Sequence, residues 1–235
     1  MIQLKIRTEY SFGSTFAPID RVIKRLKELG CKSAAIVDGD TWGHVEWFKK
    51  CKAADIEPML GVEVAVSDDE TPTKMWFIAK NKDGLGELYR ATSRSHRQTI
   101  ASRSGKIPRL YRDDVEAMSE NIIKFAGDIV DGEFLKRIGA FIDLNPSSRI
   151  LNNKKRAVAA EFGLETVSTS DNAYAFPEDK ATLELLSSFN IKNTPQQILD
   201  TLEHQDVAER IAAECAGLEL PKAPMVRAEG NLEQL

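Results

Sequence analysis

Leu4-Lys5-Ile6-Arg7-Thr8-Glu9-Tyr10-Ser11, close behind the first methionine, is the stretch from which the rest of the chain is read. Apolar and polar residues alternate with a period of two at its start, the mark of a β-strand. That puts Leu4 and Ile6 on one face and Lys5 and Arg7 on the other. Two cations thus share one side of an opening strand, and Glu9-Tyr10-Ser11 leads into a loop at Phe12-Gly13-Ser14-Thr15.

From there the chain alternates strand and helix patterns. Pro18 opens a helix with Ile19, Val22, Ile23, Leu26 and Leu29 at helical spacing, closed by Gly30. Ala34-Ala35-Ile36-Val37 is an apolar run ending at Asp38, as expected of a buried parallel strand that delivers a carboxylate to its carboxyl end. A second helix is expected from about Gly43 to Ala54 with Val45, Phe48 and Cys51 inward. Strands at 58–66 and 74–80 are expected to form a hairpin across Ser67-Asp68-Asp69-Glu70. A helix over about 84–95 follows. The stretch from Arg94 to Arg109 is basic and aperiodic and is expected to be a mobile loop. Its Arg94, Arg97, Arg103, Lys106 and Arg109 are the one clear basic cluster, either a solvated loop or a contact to DNA phosphates.

Strands at 122–126, 140–144 and 165–169 alternate with helices at 133–138 and 147–162. Further helices are expected at 178–188, 195–202 and 205–215. About seven mostly parallel strands separated by helices make an α/β fold, a closed or nearly closed distorted TIM-like barrel with outer helices. One domain over residues 1–220 is expected, with 221–235 as a linker or arm.

Composition narrows the function classes. Hydrophobic residues at 42% and charged residues at 29% describe an ordinary globular protein rather than a disordered one. A formal charge of −4 argues against a surface that grips nucleic acid everywhere and leaves room only for a local basic patch. No stretch reads as a membrane span or signal peptide, so a cytoplasmic location is expected. Cys31, Cys51 and Cys215 are odd in number and far apart, which favours small buried residues over a disulfide framework, with zinc ligation as a minor alternative. His44, His96 and His204 are a thin supply of imidazole for a metal site.

The opening motif resembles that of the polymerase and histidinol phosphatase (PHP) family, in particular the PHP domain of bacterial DNA polymerase III alpha subunits, where it reads Leu-His-x-His-Ser-Glu-Tyr-Ser. Further pieces are similar in order and spacing. Arg25 to Gly30 resembles the first family helix. Ala35-Ile36-Val37-Asp38-Gly39-Asp40-Thr41-Trp42-Gly43 resembles Ala-Leu-Thr-Asp-His-Gly-Asn-x-Phe-Gly. Gly61-Val62-Glu63-Val64 resembles Gly-x-Glu-Val, and Lys74 to Asn81 a strand that normally starts with His. Thr169-Ser170-Asp171-Asn172-Ala173-Tyr174 with Pro177-Glu178-Asp179 resembles Thr-Asn-Asp-x-His-Tyr and Pro-Glu-Asp. The segment after Leu186 looks shorter than in the family, and 230–235 resembles the junction to a polymerase palm.

The resemblance implies a metal site at these positions, and the departures fall on its ligands. The two histidines of the first motif are Lys5 and Arg7, a loop aspartate is Ser14, the histidine after Asp38 is missing, and two later histidines are Lys74 and Ala173. Protonated lysine and arginine do not ligate divalent metals. Only Asp38, Glu63 and Asp171 remain as ligand types, and could by themselves hold at most Mg²⁺ or Mn²⁺ through oxygen. His44 lies just past the missing histidine and is expected to pack rather than to ligate.

Two unit charges at contact distance interact by about 4 kcal/mol at an effective dielectric near 20. Lys5, Arg7 and Lys74 are therefore expected to repel a dication and to pair with Asp38, Glu63 and Asp171, taking over the charge of the absent metals. The alternative is unrelated surface charges. The function expected is a non-catalytic PHP module that docks on a polymerase core or a proofreading exonuclease subunit. The alternatives are a residual metal-dependent 3′–5′ exonuclease or phosphoesterase, and a pocket that binds phosphate or nucleotide without hydrolysis.

Overall fold

The computed structural model describes residues 1–220 apart from 13, 69–72, 103–104, 130, 147–148 and 187–196. The first half runs β1 (Ile2–Ile6), α1 (Ile19–Glu28), β2 (Ser33–Asp38), α2 (His44–Ala53), β3 (Glu57–Val66), β4 (Thr73–Ala79) and α3 (Lys82–Ser95). A hairpin, β5 (Thr99–Ser102) and β6 (Gly105–Leu110), precedes α4 (Arg112–Glu116). The second half runs β7 (Ile122–Ala126), α5 (Gly132–Arg137), β8 (Phe141–Leu144), α6 (Arg149–Phe162) and β9 (Thr166–Ser168), then a 3-10 turn, α7 (Lys180–Leu186) and α8 (Gln205–Glu214).

The main sheet is ordered β1-β2-β3-β4-β7-β8-β9 and curls into a half-barrel. All its pairings are parallel except those of β4, which runs antiparallel to both β3 and β7. The expected seven-strand α/β sheet is present, with the β5–β6 hairpin added at its side: β6 pairs with the end of β3 through Ala65 and Val66. The strands of the main sheet are buried on both faces, with successive residues of β2 and β4 alternating between them. On β2, Ala34 and Ile36 pack with α1 and α2, while Ala35 and Val37 pack on the other face with Met59, Trp76, Phe125 and the apolar stripe of α8. Trp76 and Phe125 stack there, with ring centroids 3.6 Å apart and planes 2° from parallel.

No backbone ladder joins β1 to β9 among the described residues; side-chain amides bridge the seam. Gln205 at the start of α8 accepts from the Ile2 N–H (2.8 Å) and donates to the Ile2 carbonyl (3.2 Å). Asn172 does the same for Arg7, at 2.9 Å in both directions. Each amide offers the donor and acceptor that a neighbouring strand would have offered.

Four expectations need correction. The stretch from Arg94 to Arg109 is not a loop: Arg94 lies in the last turn of α3, and most of the rest is the β5–β6 hairpin, with Arg103 outside the described residues. Its Pro108 hid the strand pattern, and the outer position of the hairpin explains how a proline is tolerated. Residues 197–202 are not helical; Gln197 forms an isolated bridge with Tyr174. In α2 the inward residues are His44, Trp47 and Cys51, while Val45 is exposed. Finally, Leu4 and Ile6 sit in different core clusters because the β1–β2 register shifts between Gln3 and Ile6. The three cysteines are free and buried, as expected. The expected arm at 221–235 lies outside the described residues.

Candidate functional site

Lys5 on β1, Glu63 on β3 and Asp171 just past β9 converge on the face that also carries Trp76. Lys5 Nζ lies 2.8 Å from Glu63 Oε2, 3.1 Å from Asp171 Oδ1 and 3.7 Å from Asp143 Oδ2, and its side chain is 3% exposed. The Arg7 guanidinium donates through Nη2 to both Glu63 oxygens, at 3.1 and 2.9 Å, and lies 2.9 Å from Asp171 Oδ1. Lys74 Nζ, half exposed at the rim, reaches Glu63 Oε1 at 2.7 Å. The contacts at Asp171 Oδ1 are charge contacts rather than aligned hydrogen bonds. Asp171 itself sits at φ +44°, a left-handed backbone that costs a non-glycine residue energy. The Asn172 clamp on Arg7 next to it helps to hold that turn in place.

Burial by itself would favour the neutral forms of Lys5, Arg7, Glu63 and Asp171, and the opposite charges outweigh it. Lys5 and Arg7 are pushed up by Glu63 and Asp171 in spite of desolvation. Desolvation would raise Glu63, yet Arg7, Lys5 and Lys74 hold it well below the usual carboxylate range. Lys5 and Arg7 do the same for Asp171, less strongly. The cluster is ionised and internally neutralised.

Asp38, expected in this cluster, makes no ion pair with it. It is fully buried and accepts from the Thr8 N–H (2.8 Å), Thr8 Oγ1 (2.6 Å) and Ser11 Oγ (2.5 Å), tying down the loop after β1. Desolvation raises its pKa, partly offset by those hydrogen bonds. Ser14 is exposed and, among the described residues, bonds only the Ser11 carbonyl, and Ala173 contributes a carbonyl to the Phe16 N–H.

Asp143 takes the place that Asp38 was expected to fill. It accepts from Trp76 Nε1 (3.1 Å) and Thr169 Oγ1 (2.6 Å), and the fully buried Lys155 on α6 donates to its backbone carbonyl (2.5 Å). Burial pushes Asp143 up and Lys155 down. Sequence reading passed over both, although one acid inside the apolar strand Phe141-Ile142-Asp143-Leu144 is a usable signal, because a buried carboxylate needs a partner.

His44 is buried. Its Nε2 lies 3.0 Å from the Gly61 carbonyl, to which it donates, and its Nδ1 lies 3.4 Å from the Tyr89 hydroxyl. Desolvation lowers its pKa to about 4. Below the unfolded value of about 6.5 the unfolded chain binds the proton and the folded one does not, so stability falls as pH drops from there toward 4. Between pH 7 and 5 this one group should remove about 2 kcal/mol of stability. Urea unfolding of a His44→Gln variant should show a correspondingly shallower loss over the same interval; an unchanged slope would show that His44 is not the titrating group.

Among the described residues, no group of three or more His, Cys, Asp or Glu is placed to hold a metal ion. No described helix is long and apolar enough to cross a membrane.

The PHP domain family model matches residues 3–188 of this chain, with its curled, mostly parallel sheet: the chain belongs to that family. The curated relatives it matches include DNA polymerase III alpha subunits. That of Bacillus subtilis is 21% identical over 88% of this chain and 21% of its own length. That of Aquifex aeolicus is 22% identical over 84% of this chain and 20% of its own. The chain spans about a fifth of the length of these relatives. Among solved structures, a Bifidobacterium adolescentis protein, solved under the name of a metal-dependent phosphoesterase, superposes with a TM-score of 0.61. It is 13% identical, with 91% of this chain and 96% of that one covered. An amidohydrolase from Chromobacterium violaceum gives a TM-score of 0.54 at 14% identity, over 74% of this chain and 87% of that one. These structures share the fold.

Proposed function

We propose that this chain is a PHP module of a replicative DNA polymerase system that has given up metal-dependent hydrolysis and serves as a structural or docking domain. Its occupant on the other side would be a polymerase core or a proofreading exonuclease subunit. The observation that carries the reading is Lys5 Nζ, buried at 2.8 Å from Glu63 and 3.1 Å from Asp171. A divalent ion needs those carboxylate oxygens free and the space between them open. Here an ammonium group fills that space and a guanidinium covers two of the oxygens. The positions that the family resemblance assigns to ligands hold Lys5, Arg7, Ser14, Asp38, Glu63, Lys74, Asp171 and Ala173. Read as a vestigial metal site, they supply three cations, and Asp143 brings the facing carboxylates to three as well. Glu63 and Asp171 are thereby spared the mutual repulsion that removal of a metal would leave. The donor set does not fit a metal.

Elemental analysis of the protein purified without chelators should find no stoichiometric manganese, zinc or iron. Added Mn²⁺ should produce no digestion of single-stranded DNA from its 3′ end. Stoichiometric metal, with turnover abolished by Glu63→Ala, would overturn the proposal in favour of a residual exonuclease.

A further inference from the structure

Phe12 and Trp42 are 70% and 61% exposed, and nothing in the charged cluster uses them. Their ring centroids are 5.5 Å apart at an interplanar angle of 52°, and Tyr10 stands edge-on to Phe12 at 6.4 Å. They come from the loops that follow β1 and β2, so two distant segments bring large π-surfaces together in water. Large aromatics contribute to a fold by being buried; a pair of them held together outside marks a contact surface.

What the pair would contact is indicated by the charges beside it. Two residues before Trp42, Asp40 Oδ2 lies 2.9 Å from His96 Nε2, which fixes the Trp42 loop to the carboxyl end of α3. Arg97 follows His96, and Lys106 lies in the adjoining hairpin, paired in register with Ala101. Both are exposed, and among the described residues neither makes an ion pair. Their basic neighbours are engaged: Arg94 pairs with Asp114 at 2.7 Å, and Arg109 lies over the Tyr111 ring at 4.5 Å. In a chain of net charge −4, Arg97 and Lys106 put two exposed cations on the segment that His96 joins to the loop of the tilted aromatic pair, while Glu46 is taken up by the Tyr10 hydroxyl at 3.0 Å.

Exposed rings bordered by free cations match single-stranded nucleic acid, whose bases offer π-faces and whose backbone offers regularly spaced negative charge. Duplex DNA keeps its bases stacked inside and would use only the cations. We propose that Phe12 and Trp42, with Arg97 and Lys106, form a docking platform for single-stranded nucleic acid. Bases stack on the two rings and phosphates meet the hairpin. The platform is independent of the metal question, since none of its residues belongs to the charged cluster.

The test is fluorescence anisotropy of the full chain with a labelled oligothymidylate of about 16 nucleotides, a length in the usual range for one binding surface. It should bind at low salt and more weakly as salt rises. Trp42→Ala and Phe12→Ala should each weaken binding by about 5- to 150-fold, and the Arg97→Ala/Lys106→Ala pair should flatten the dependence of log affinity on log salt by about 1.4. Trp47 and Trp76 are fully buried, so quenching of the native emission on binding reports Trp42 and should vanish in Trp42→Ala. All four positions are exposed, so folding of the variants is checked simply by an unchanged unfolding midpoint. Three results would each overturn the proposal: no binding at low salt, Trp42→Ala binding like the parent, or a self-association that the aromatic variants abolish while nucleic acid is ignored.

Discussion

Replacing Lys5 by methionine is expected to cost about 3–5 kcal/mol of folding stability, because it strips the buried partner from Glu63, Asp171 and Asp143 at once. The methionine fills similar space, so the loss is electrostatic in origin rather than a cavity. Denaturant unfolding at pH 7 measures it. Lys74→Ala is the control: that side chain also touches Glu63 but is 52% exposed, and a solvated pair of this kind contributes about 0–1 kcal/mol. If the two substitutions cost the same, burial is not what makes the Lys5 contact matter. Should Lys5→Met fail to fold, the Lys5→Met/Glu63→Gln double variant decides the point, since deleting both partners is expected to cost less than the sum of the two single losses.

Glu63→Gln should be comparably damaging, about 3–5 kcal/mol at neutral pH, and its pH dependence separates charge from shape. Arg7, Lys5 and Lys74 hold Glu63 well below the ordinary carboxylate range despite burial. A carboxylate depressed in the folded state contributes in full above its unfolded value of about 4.3 and loses that contribution as pH falls through the lower folded value. The variant has no such contribution to lose. The stability gap between parent and variant should therefore stay wide from pH 8 to about 5 and narrow only below about pH 4. A gap that closes already between pH 7 and 5 would mean that Glu63 is not held ionised by its neighbours.

The order of elements could be read from the sequence because hydrophobic periodicity reports which faces are buried, and burial is what the alternation on β2 and β4 records. Lys5, Arg7, Lys74, Glu63 and Asp171 could be brought together because the family resemblance assigns all five positions to one metal site. Asp38 could not be assigned, since its true partners are Thr8 and Ser11, polar residues that any loop contains. The local register shift in β1 was equally invisible, because nothing in Gln3-Leu4-Lys5-Ile6 departs from a plain strand pattern. The inward face of α2 was misread because a buried histidine hydrogen-bonded to the Gly61 carbonyl scores as polar until that carbonyl is seen. The β5–β6 hairpin was lost to its own charge, as basic residues on an outlying ribbon carry no apolar period to detect.

The amide bridges at the β1 seam have a consequence for the order in which the molecule can be made. One flank of the first strand is completed early, by β2, and the other from far along the chain, by Asn172 and Gln205. A nascent chain would hold β1 with one row of backbone donors and acceptors open until Gln205, 203 residues further on than Ile2, had been made, the interval in which an unpaired edge invites association. Closure between residues 2 and 205 spans 203 positions, and long-range closures slow folding. The β1 seam therefore closes only after residues 172 and 205 exist, and it is sealed by two carboxamides rather than by a last strand.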